Sequence, residues 1–465
     1  MRVVLADLKG ADGFVSKDTV AGGYGSRLRP FSKTAAMVCM VKRRLHSPPS
    51  VQMAYLAALA ATKGHETRWT ADAPVEGDVA IVLSSLVDYK HETAWADDLR
   101  RRGTRVGFVG LAASKMPELF EPHADFVVAG EPEEAIGRML DGEELRGLVQ
   151  SAPLDNLDQL PFPRWDLVGG SSNRTRTGRL TVRPLGGGFP VLASRGCPEF
   201  CTYCPHRILA DHRARSIANI IEELEALCEL YPNPYVIFRD PLFSDNRDRC
   251  LALCDEILSR GIRMRFECET RLDRLDQSLL SAMHRAGLRA ISFGVESVAT
   301  DTLRKAGRRP IPPQHQREIV HFARELGIAT AAFYVFGFVQ DTWSSIAHTI
   351  DYAIQLGSTF AQFKILTPYP GTPLWKQMKP LVYEQDWEKF DGFTPTFNHP
   401  NLTSDELMFL LGAAYSRFYI RPTYVANHLG IQSTVVRDML SRLDTRVFAR
   451  QARREILIAG AAVSC

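Results

Sequence analysis

A chain of 465 residues is too long for one ordinary domain, and two or three folded units are expected. Hydrophobic residues make up 45% and charged residues 23%, which argues against disorder, and a formal net charge of +3 is too small to point to nucleic acid or a membrane surface as partner. The nine cysteines are an odd number, Met1 to Gly10 is no apolar leader, and no apolar run is long enough to span a membrane, so a reducing cytoplasm is the expected location.

In chain order, Arg2 to Asp7 reads as a buried strand and Ser50 to Lys63 as an apolar-faced helix closed by Gly64. Strands follow at Asp78–Leu83, Arg105–Val109 and Phe126–Ala129, with a polar-faced helix over Ala94–Arg102. This α/β alternation predicts a doubly wound parallel sheet, Rossmann-like, over residues 1–145, with any ligand outside the carboxyl ends of its strands. The Gly-rich run Ala21–Arg27 does not join a strand directly to a helix and is read as a loop. Lys42, Arg43 and Arg44 are a solvated face or a grip for a carboxylate or phosphate.

Residues 146–190 gather Pro153, Pro161, Pro163, Pro184 and Pro190 with Gly169, Gly170 and Gly186–Gly188, the composition of a linker. A second alternation then runs over residues 191–375. Strands are expected at Val191–Ala193, Tyr235–Arg239, Arg263–Glu269, Ala290–Val295, Thr330–Phe336 and Gln362–Leu366. Helices are expected at Ile217–Leu230, Asp248–Ser259, Gln277–Ala286, His315–Leu326 and Thr342–Leu356. That order predicts a partial βα barrel. Residues 376–465 form a small helical C-terminal region, with helices at Ser404–Tyr419 and Thr434–Arg454, that caps the barrel mouth or simply packs against it.

The most specific chemistry lies at Cys197, Cys201 and Cys204, in Ser194-Arg195-Gly196-Cys197-Pro198-Glu199-Phe200-Cys201-Thr202-Tyr203-Cys204. Three thiolates at C-x3-C-x2-C spacing can hold three corners of a four-iron cluster and leave one iron open. The alternative is a zinc site with His206 as fourth ligand, although zinc sites usually add a distant second pair. Cys250 and Cys254, at helical spacing, read as core thiols.

This run resembles the cluster loop of the radical S-adenosylmethionine (radical SAM) enzymes, Tyr203 and the leading Ser194-Arg195-Gly196 included. The resemblance implies a 4Fe-4S cluster on the three cysteines, S-adenosylmethionine on the open iron, and a 5'-deoxyadenosyl radical that takes hydrogen from carbon. It also implies an external electron donor such as flavodoxin or ferredoxin. Phe238-Arg239-Asp240-Pro241-Leu242-Phe243 is similar to the family's F-x-D-x-x-F segment, making Asp240 the candidate for the cofactor ammonium, or else a helix N-cap. Glu269 is the candidate for the ribose hydroxyls. Gly294-Val295-Glu296-Ser297 matches the family's G-[IV]-E-S ending and brings Gly294, Glu296 and Ser297 to the cofactor. Arg304, with Lys305, stands where the family often has a basic residue, or is a solvated helix end. Tyr334 and Tyr369, the latter in a P-x-P-G-T-like segment, are candidates to line the substrate pocket, Tyr369 having the alternative of a packed turn aromatic.

The first domain resembles that of the cobalamin-binding radical SAM enzymes, through Pro48-Pro49-Ser50, Ser84-Ser85-Leu86, Gly107-Phe108-Val109-Gly110 and Gly130-Glu131-Pro132-Glu133. Ser84, Leu86, Gly110, Gly130 and Glu131 are then the candidate cobalamin contacts. The family's D-x-H-x-x-G motif is absent: Asp7-Leu8-Lys9-Gly10 stands in its place, and His46, His65 and Arg68 are weak substitutes. Together these features imply a methyltransferase acting on an unactivated carbon of a small-molecule, lipid or natural-product substrate. An oxidative or ring-forming enzyme with the same cofactors, and a non-catalytic iron-sulfur sensor, are the alternatives.

Overall fold

The computed structural model describes residues 1–10, 15–18, 22–27, 50–168 and 188–424. Lys42 to Arg44, His46, Pro48-Pro49 and the helix expected over Thr434–Arg454 lie outside the described residues.

The first domain runs β1 (Arg2–Ala6), β2 (Val15–Asp18), β3 (Gly22–Arg27), α1 (Val51–Thr62), β4 (Glu66–Thr70), β5 (Val79–Leu83), α2 (Tyr89–Arg101), β6 (Arg105–Val109), α3 (Leu111–Lys115), β7 (Phe126–Ala129), α4 (Glu133–Leu140) and β8 (Gly147–Gln150). Its six-stranded sheet has the order β4-β1-β5-β6-β7-β8, and every pairing is parallel. Central strands β1 and β5 are almost wholly apolar and buried on both faces, as a sheet sandwiched between helices requires. Helix α1 starts at Ser50, whose side chain accepts from Met53 N, and stops before Gly64 at φ +76°.

Three expectations need correction here. Both edge strands escape an apolar-run criterion, because β4 (Glu-Thr-Arg-Trp-Thr) alternates with solvent and β8 is mostly exposed. Strand β8 also extends the first sheet to Gln150, inside the stretch expected to be linker. The Gly-rich run is strand β3, paired antiparallel with β2. This hairpin crosses the carboxyl ends of the sheet: Leu86 N donates to Tyr24 O at 3.0 Å and Lys17 Nζ to Leu83 O at 2.7 Å.

The second domain starts at β9 (Phe189–Val191) and a short ribbon, β10 (Ser194–Arg195) with β11 (Arg213–Ala214). There follow α5 (Ile217–Leu230), β12 (Tyr235–Phe238), α6 (Arg247–Ser259), β13 (Arg265–Thr270), α7 (Gln277–Arg285), β14 (Leu288–Glu296), α8 (Thr300–Lys305), α9 (Pro313–Glu325), β15 (Ala329–Phe336), α10 (Trp343–Leu356), β16 (Phe360–Ile365), α11 (Pro373–Met378) and α12 (Ser404–Tyr419). The sheet order β9-β12-β13-β14-β15-β16 follows the chain and is parallel throughout, the partial barrel the alternation predicts.

Burial alternates along its strands. Phe266, Phe293, Tyr334 and Phe363 join the helices in one apolar core, while Glu267, Glu269, Ser292, Gly294, Glu296, Phe333, Gln362 and Lys364 stay half-buried on the opposite face. Helix α12 does not cap the mouth. It lies on edge strand β16, where Tyr419 Oη donates to Ala361 O at 2.7 Å and Tyr415 Oη to Phe363 O at 2.9 Å. The backbone nitrogens of the same two residues donate back to those hydroxyls at 3.0 and 3.2 Å. Residues four apart on a helix thus meet residues two apart on a strand, closing the open edge.

Candidate active site

The cluster loop leaves the barrel after β9 and is pinned at its base. Ser194 Oγ donates to Asp240 Oδ1 at 2.5 Å and Ala193 N to Asp240 Oδ2 at 3.1 Å, so both oxygens of this buried carboxylate are engaged. Burial pushes the Asp240 carboxyl above its ordinary range. Asp240 therefore anchors the loop that the cysteines occupy, rather than offering a free oxygen to an ammonium group. Next to it, buried Arg195 donates to Glu131 Oε2 at 2.8 Å and Glu133 Oε1 at 2.7 Å, and Arg213 of the ribbon pairs with the other Glu131 oxygen. Glu131 faces the cluster loop, so the two carboxylates of the Gly-Glu-Pro-Glu segment join the two domains.

Cys201 is buried, and Cys197 and Cys204 are half-buried. Burial raises the Cys197 thiol and pushes Cys204 up to about 12, so the protein alone holds these two neutral and metal binding must displace their protons. Among the described residues no three His, Cys, Asp or Glu side chains converge as they do round a single ion. Three thiols on one short loop are the donor set of a cluster whose irons take one thiolate each.

Beside the loop lies the end of β14. Arg308 Nη1 stands 3.7 Å from Cys201 Sγ, and Nη2 donates to Gly294 O at 2.5 Å and lies 3.7 Å from Glu296 Oε1. Glu296 holds a left-handed φ of +64° where the β14–β15 register shifts, and a side chain on Gly294 would collide with its carboxylate. Burial raises the carboxyl. Tyr203 is half-buried edge-on to Phe338 at 5.5 Å, with its hydroxyl toward the Glu296 carboxyl. Gly294, Glu296, Tyr203 and the three cysteines are thus brought together. Ser297 is drawn into the following turn, its Oγ accepting from Ala299 N at 3.1 Å.

Across the half-buried face, register pairs Glu269 with Ser292, Ser292 with Ala331, Gly294 with Phe333, Phe333 with Gln362, and Val335 with Lys364. An acidic wall and an apolar floor result. Glu269 is half-buried and bound by Arg239 Nη1 at 2.6 Å. Tyr334 needs correction: strand alternation turns it to the helices, where it stacks on Phe363 at 5.1 Å, and Phe333 takes the open face. Arg304 is 68% exposed on α8 and pairs only loosely with Asp301, so the basic group at the site is Arg308, four residues on. The Arg308-Arg309 pair after Gly307 was the signal for it. Tyr369 sits at the domain junction, stacked on Tyr24 at 5.1 Å and 8°, with Tyr24 Oη donating to Pro370 O at 2.5 Å.

In the first domain, Ser84 Oγ donates to Val109 O at 2.8 Å and accepts from Ala113 N at 2.9 Å, and Leu86 is core, so both build the sheet end. Gly110, buried, and Gly130, half-buried, hold φ of +103° and +101° there. His65 bonds Leu140 O at 2.9 Å at the opposite, amino end of the strands, and Arg68 pairs with Glu66 on the outer edge, so neither can replace the missing histidine.

Residues 191–353 match the Radical SAM superfamily. An uncharacterized methyltransferase of Pyrococcus horikoshii is 29% identical over 65% of this chain and 68% of its own. An anaerobic magnesium-protoporphyrin IX monomethyl ester cyclase of Cereibacter sphaeroides is 26% identical over 61% of this chain, which spans 46% of that relative. The fold matches the radical S-adenosylmethionine methyltransferase TsrM of Kitasatospora setae, solved with cobalamin and a [4Fe-4S] cluster, at TM-score 0.62 and 14% identity over 96% of this chain and 99% of that one. Residues 191–353 thus carry a domain that matches the Radical SAM superfamily, and the two-sheet fold of the chain matches that of TsrM.

Proposed function

We propose that the protein is a cobalamin-dependent radical SAM methyltransferase acting on an unactivated carbon of a partly apolar small molecule. The carrying observation is the joint between domains: Arg195, two residues before the first cluster cysteine, is clasped by Glu131 and Glu133 at the carboxyl end of the first sheet. That clasp fixes the cluster loop against the place where a doubly wound sheet binds its ligand. When bound, the cluster with S-adenosylmethionine supplies a carbon-centred radical, and cobalamin supplies the methyl group. The chain's own residues do the rest. Cys197, Cys201 and Cys204 would hold the cluster. Glu296 and Arg308 present opposite charges beside it, suited to the ammonium and carboxylate of an amino acid moiety. Glu269 is placed for hydroxyl groups, and Phe333 and Val335 give the trough an apolar floor.

The corrinoid fits the first sheet's carboxyl end. Asp7 is fully buried there with Oδ1 lacking a hydrogen-bond partner while Lys9 holds Oδ2 at 2.7 Å. Methyl transfer is favoured over ring formation because this chain spans two thirds of the methyltransferase relative and nearly all of TsrM, but under half of the cyclase. Among the described residues no helix is long and apolar enough to cross a membrane.

The test is anaerobic purification with cobalamin supplied, followed by iron, sulfide and corrinoid analysis and assay with dithionite and S-adenosylmethionine. Bound corrinoid, 5'-deoxyadenosine formation abolished by Cys201→Ala, and methylated product are expected. An active cluster without corrinoid would remove the methyl-transfer reading.

A further inference from the structure

Cys201 is the buried one of the three cluster cysteines, and the guanidinium of Arg308 reaches its sulfur. Nη1 stands 3.7 Å from Sγ, a hydrogen-bond distance for sulfur, whose larger radius sets donors farther off than oxygen does. The contact is built from both sides. On the loop, Thr202 N and Oγ1 donate to Ala306 O at 2.9 and 3.2 Å, and Leu374 N donates to Thr202 O at 3.0 Å. On the barrel, Gly307 ends α8 at φ +69°, and Arg308 N returns to Leu303 O at 2.8 Å. A side chain on Gly307 would run into the Phe200 carbonyl, so glycine lets the turn that carries Arg308 close on the backbone flanking Cys201. The other arm, Nη2, is fixed on Gly294 O at 2.5 Å, and a Cβ at Gly294 would crowd it at 2.9 Å. The Glu296 carboxyl also faces that arm, at 3.7 Å, leaving Nη1 to the sulfur. Arg308 is 8% exposed, which shields its charge from water, and arginine stays protonated in a folded protein.

We propose that Arg308, through the hydrogen bond from Nη1 to the Cys201 sulfur, raises the reduction potential of the cluster that Cys197, Cys201 and Cys204 would hold. A buried cation and a donor to sulfur stabilise the reduced state, which carries one more negative charge, over the oxidised state. In that step one electron enters from a low-potential one-electron reductant, no bond forms or breaks, and no proton moves. Arg308 acts here through Cys201 as a positioning residue, separately from any contact with an amino acid moiety. The proposal rests on the cluster reading and is independent of cobalamin and methyl transfer.

The test uses the full chain, reconstituted with iron and sulfide and without corrinoid or substrate. Iron and sulfide are assayed first: a wild type that takes up no cluster would overturn the cluster reading and the proposal with it. Redox titration with dithionite, followed by electron paramagnetic resonance, then gives the potentials of wild type, Arg308→Met, Arg308→Lys and Arg309→Met, the last a control at an exposed neighbour paired with Asp273. Arg308→Met should lower the equilibrium constant for reduction at least about tenfold, which is about 59 mV for one electron. Arg308→Lys keeps the charge and should recover part of the loss, and Arg309→Met should match wild type. The signal comes only from bound cluster, so a variant that retains less iron is still read. Should the methionine variant hold no cluster, Arg308→Gln, which keeps an amide donor for Gly294 O, gives the same reading. A wild-type potential in the neutral variants would overturn the proposal and leave Arg308 a structural brace. An equal fall in Arg309→Met would also overturn it, assigning the effect to net charge rather than to the sulfur contact.

Discussion

Arg195 and Glu131 are joined by a 2.8 Å ion pair that ties the cluster loop of one domain to the sheet end of the other, both side chains 4% exposed. Arg213 shares the Glu131 carboxylate, and Glu133 takes the second arm of Arg195. Removing one charge from a buried network strands the others, at a cost of about 3–5 kcal/mol. Glu131→Gln should therefore lower the melting temperature markedly and reduce iron retention. Arg2→Ala, which breaks the half-exposed Arg2–Asp78 pair, should leave the melting temperature close to that of the wild type. Equal melting temperatures for the two variants would remove the clasp from its structural role.

The tyrosine pair on α12 makes a second prediction. Tyr415 and Tyr419 each give one hydroxyl to both the N–H and the C=O of a β16 residue. Phenylalanine keeps the ring and strands both backbone groups, so each single change should cost about 1–3 kcal/mol. The double variant Tyr415→Phe/Tyr419→Phe should also aggregate on heating, because an uncovered edge strand can pair with another chain. Thermal unfolding with light scattering reads both effects; monodisperse unfolding of the double variant would contradict them.

Those tyrosines also show where the sequence stops being informative. Period-two and period-3.6 patterns locate all six barrel strands and the five longer helices between them, though not the short α8, because each buries one continuous apolar face. Strands β4 and β8 lie at sheet edges and carry no such face. The cysteine loop and Glu296 are legible because their chemistry is local in the chain. The partners of Glu131 are not, since Arg195 lies 64 residues away and only folding brings the charges together. Tyr334 fails for a simpler reason: its neighbour Phe333 has the same strand propensity, and the open face is decided by register.

Asp341 supplies a pH prediction away from the cluster. Its Oδ2 accepts from Gly337 N and Phe338 N at 3.0 Å each, yet burial outweighs these bonds and raises the carboxyl from 3.8 to about 6. A carboxyl raised in the folded state makes folding take up a proton. Its stabilising contribution is complete below 3.8 and is lost as pH rises through about 6. Asp341→Asn can keep an acceptor oxygen on both N–H groups without ionising. It should remove this slope and gain about 2–3 kcal/mol above the folded-state value. Urea midpoints measured across the window decide the matter; parallel profiles for wild type and variant would exclude Asp341 as the titrating group.

Glu296 combines an unfavourable backbone with a charge beside the cluster loop, and substitutions can separate the two. At φ +64° a residue with a side chain pays about 1 kcal/mol that glycine avoids. Glu296→Gly should therefore be more stable than Glu296→Ala by about that amount, after allowance for the greater freedom of glycine in the unfolded chain. Both lose the carboxylate that faces Arg308 at 3.7 Å. If that carboxylate receives the ammonium of S-adenosylmethionine, both variants should bind the cofactor at least about tenfold more weakly, a charge-assisted hydrogen bond being worth roughly 1.5–3 kcal/mol. Their iron content should stay that of the wild type, since the cysteines are untouched. Calorimetric titration with S-adenosylmethionine on the reconstituted proteins separates the outcomes. Weakened binding in both variants, with a stability gap between them, assigns Glu296 a cofactor role maintained at the expense of backbone strain. Wild-type affinity in both would reduce Glu296 to the residue that turns β14 toward Ser297.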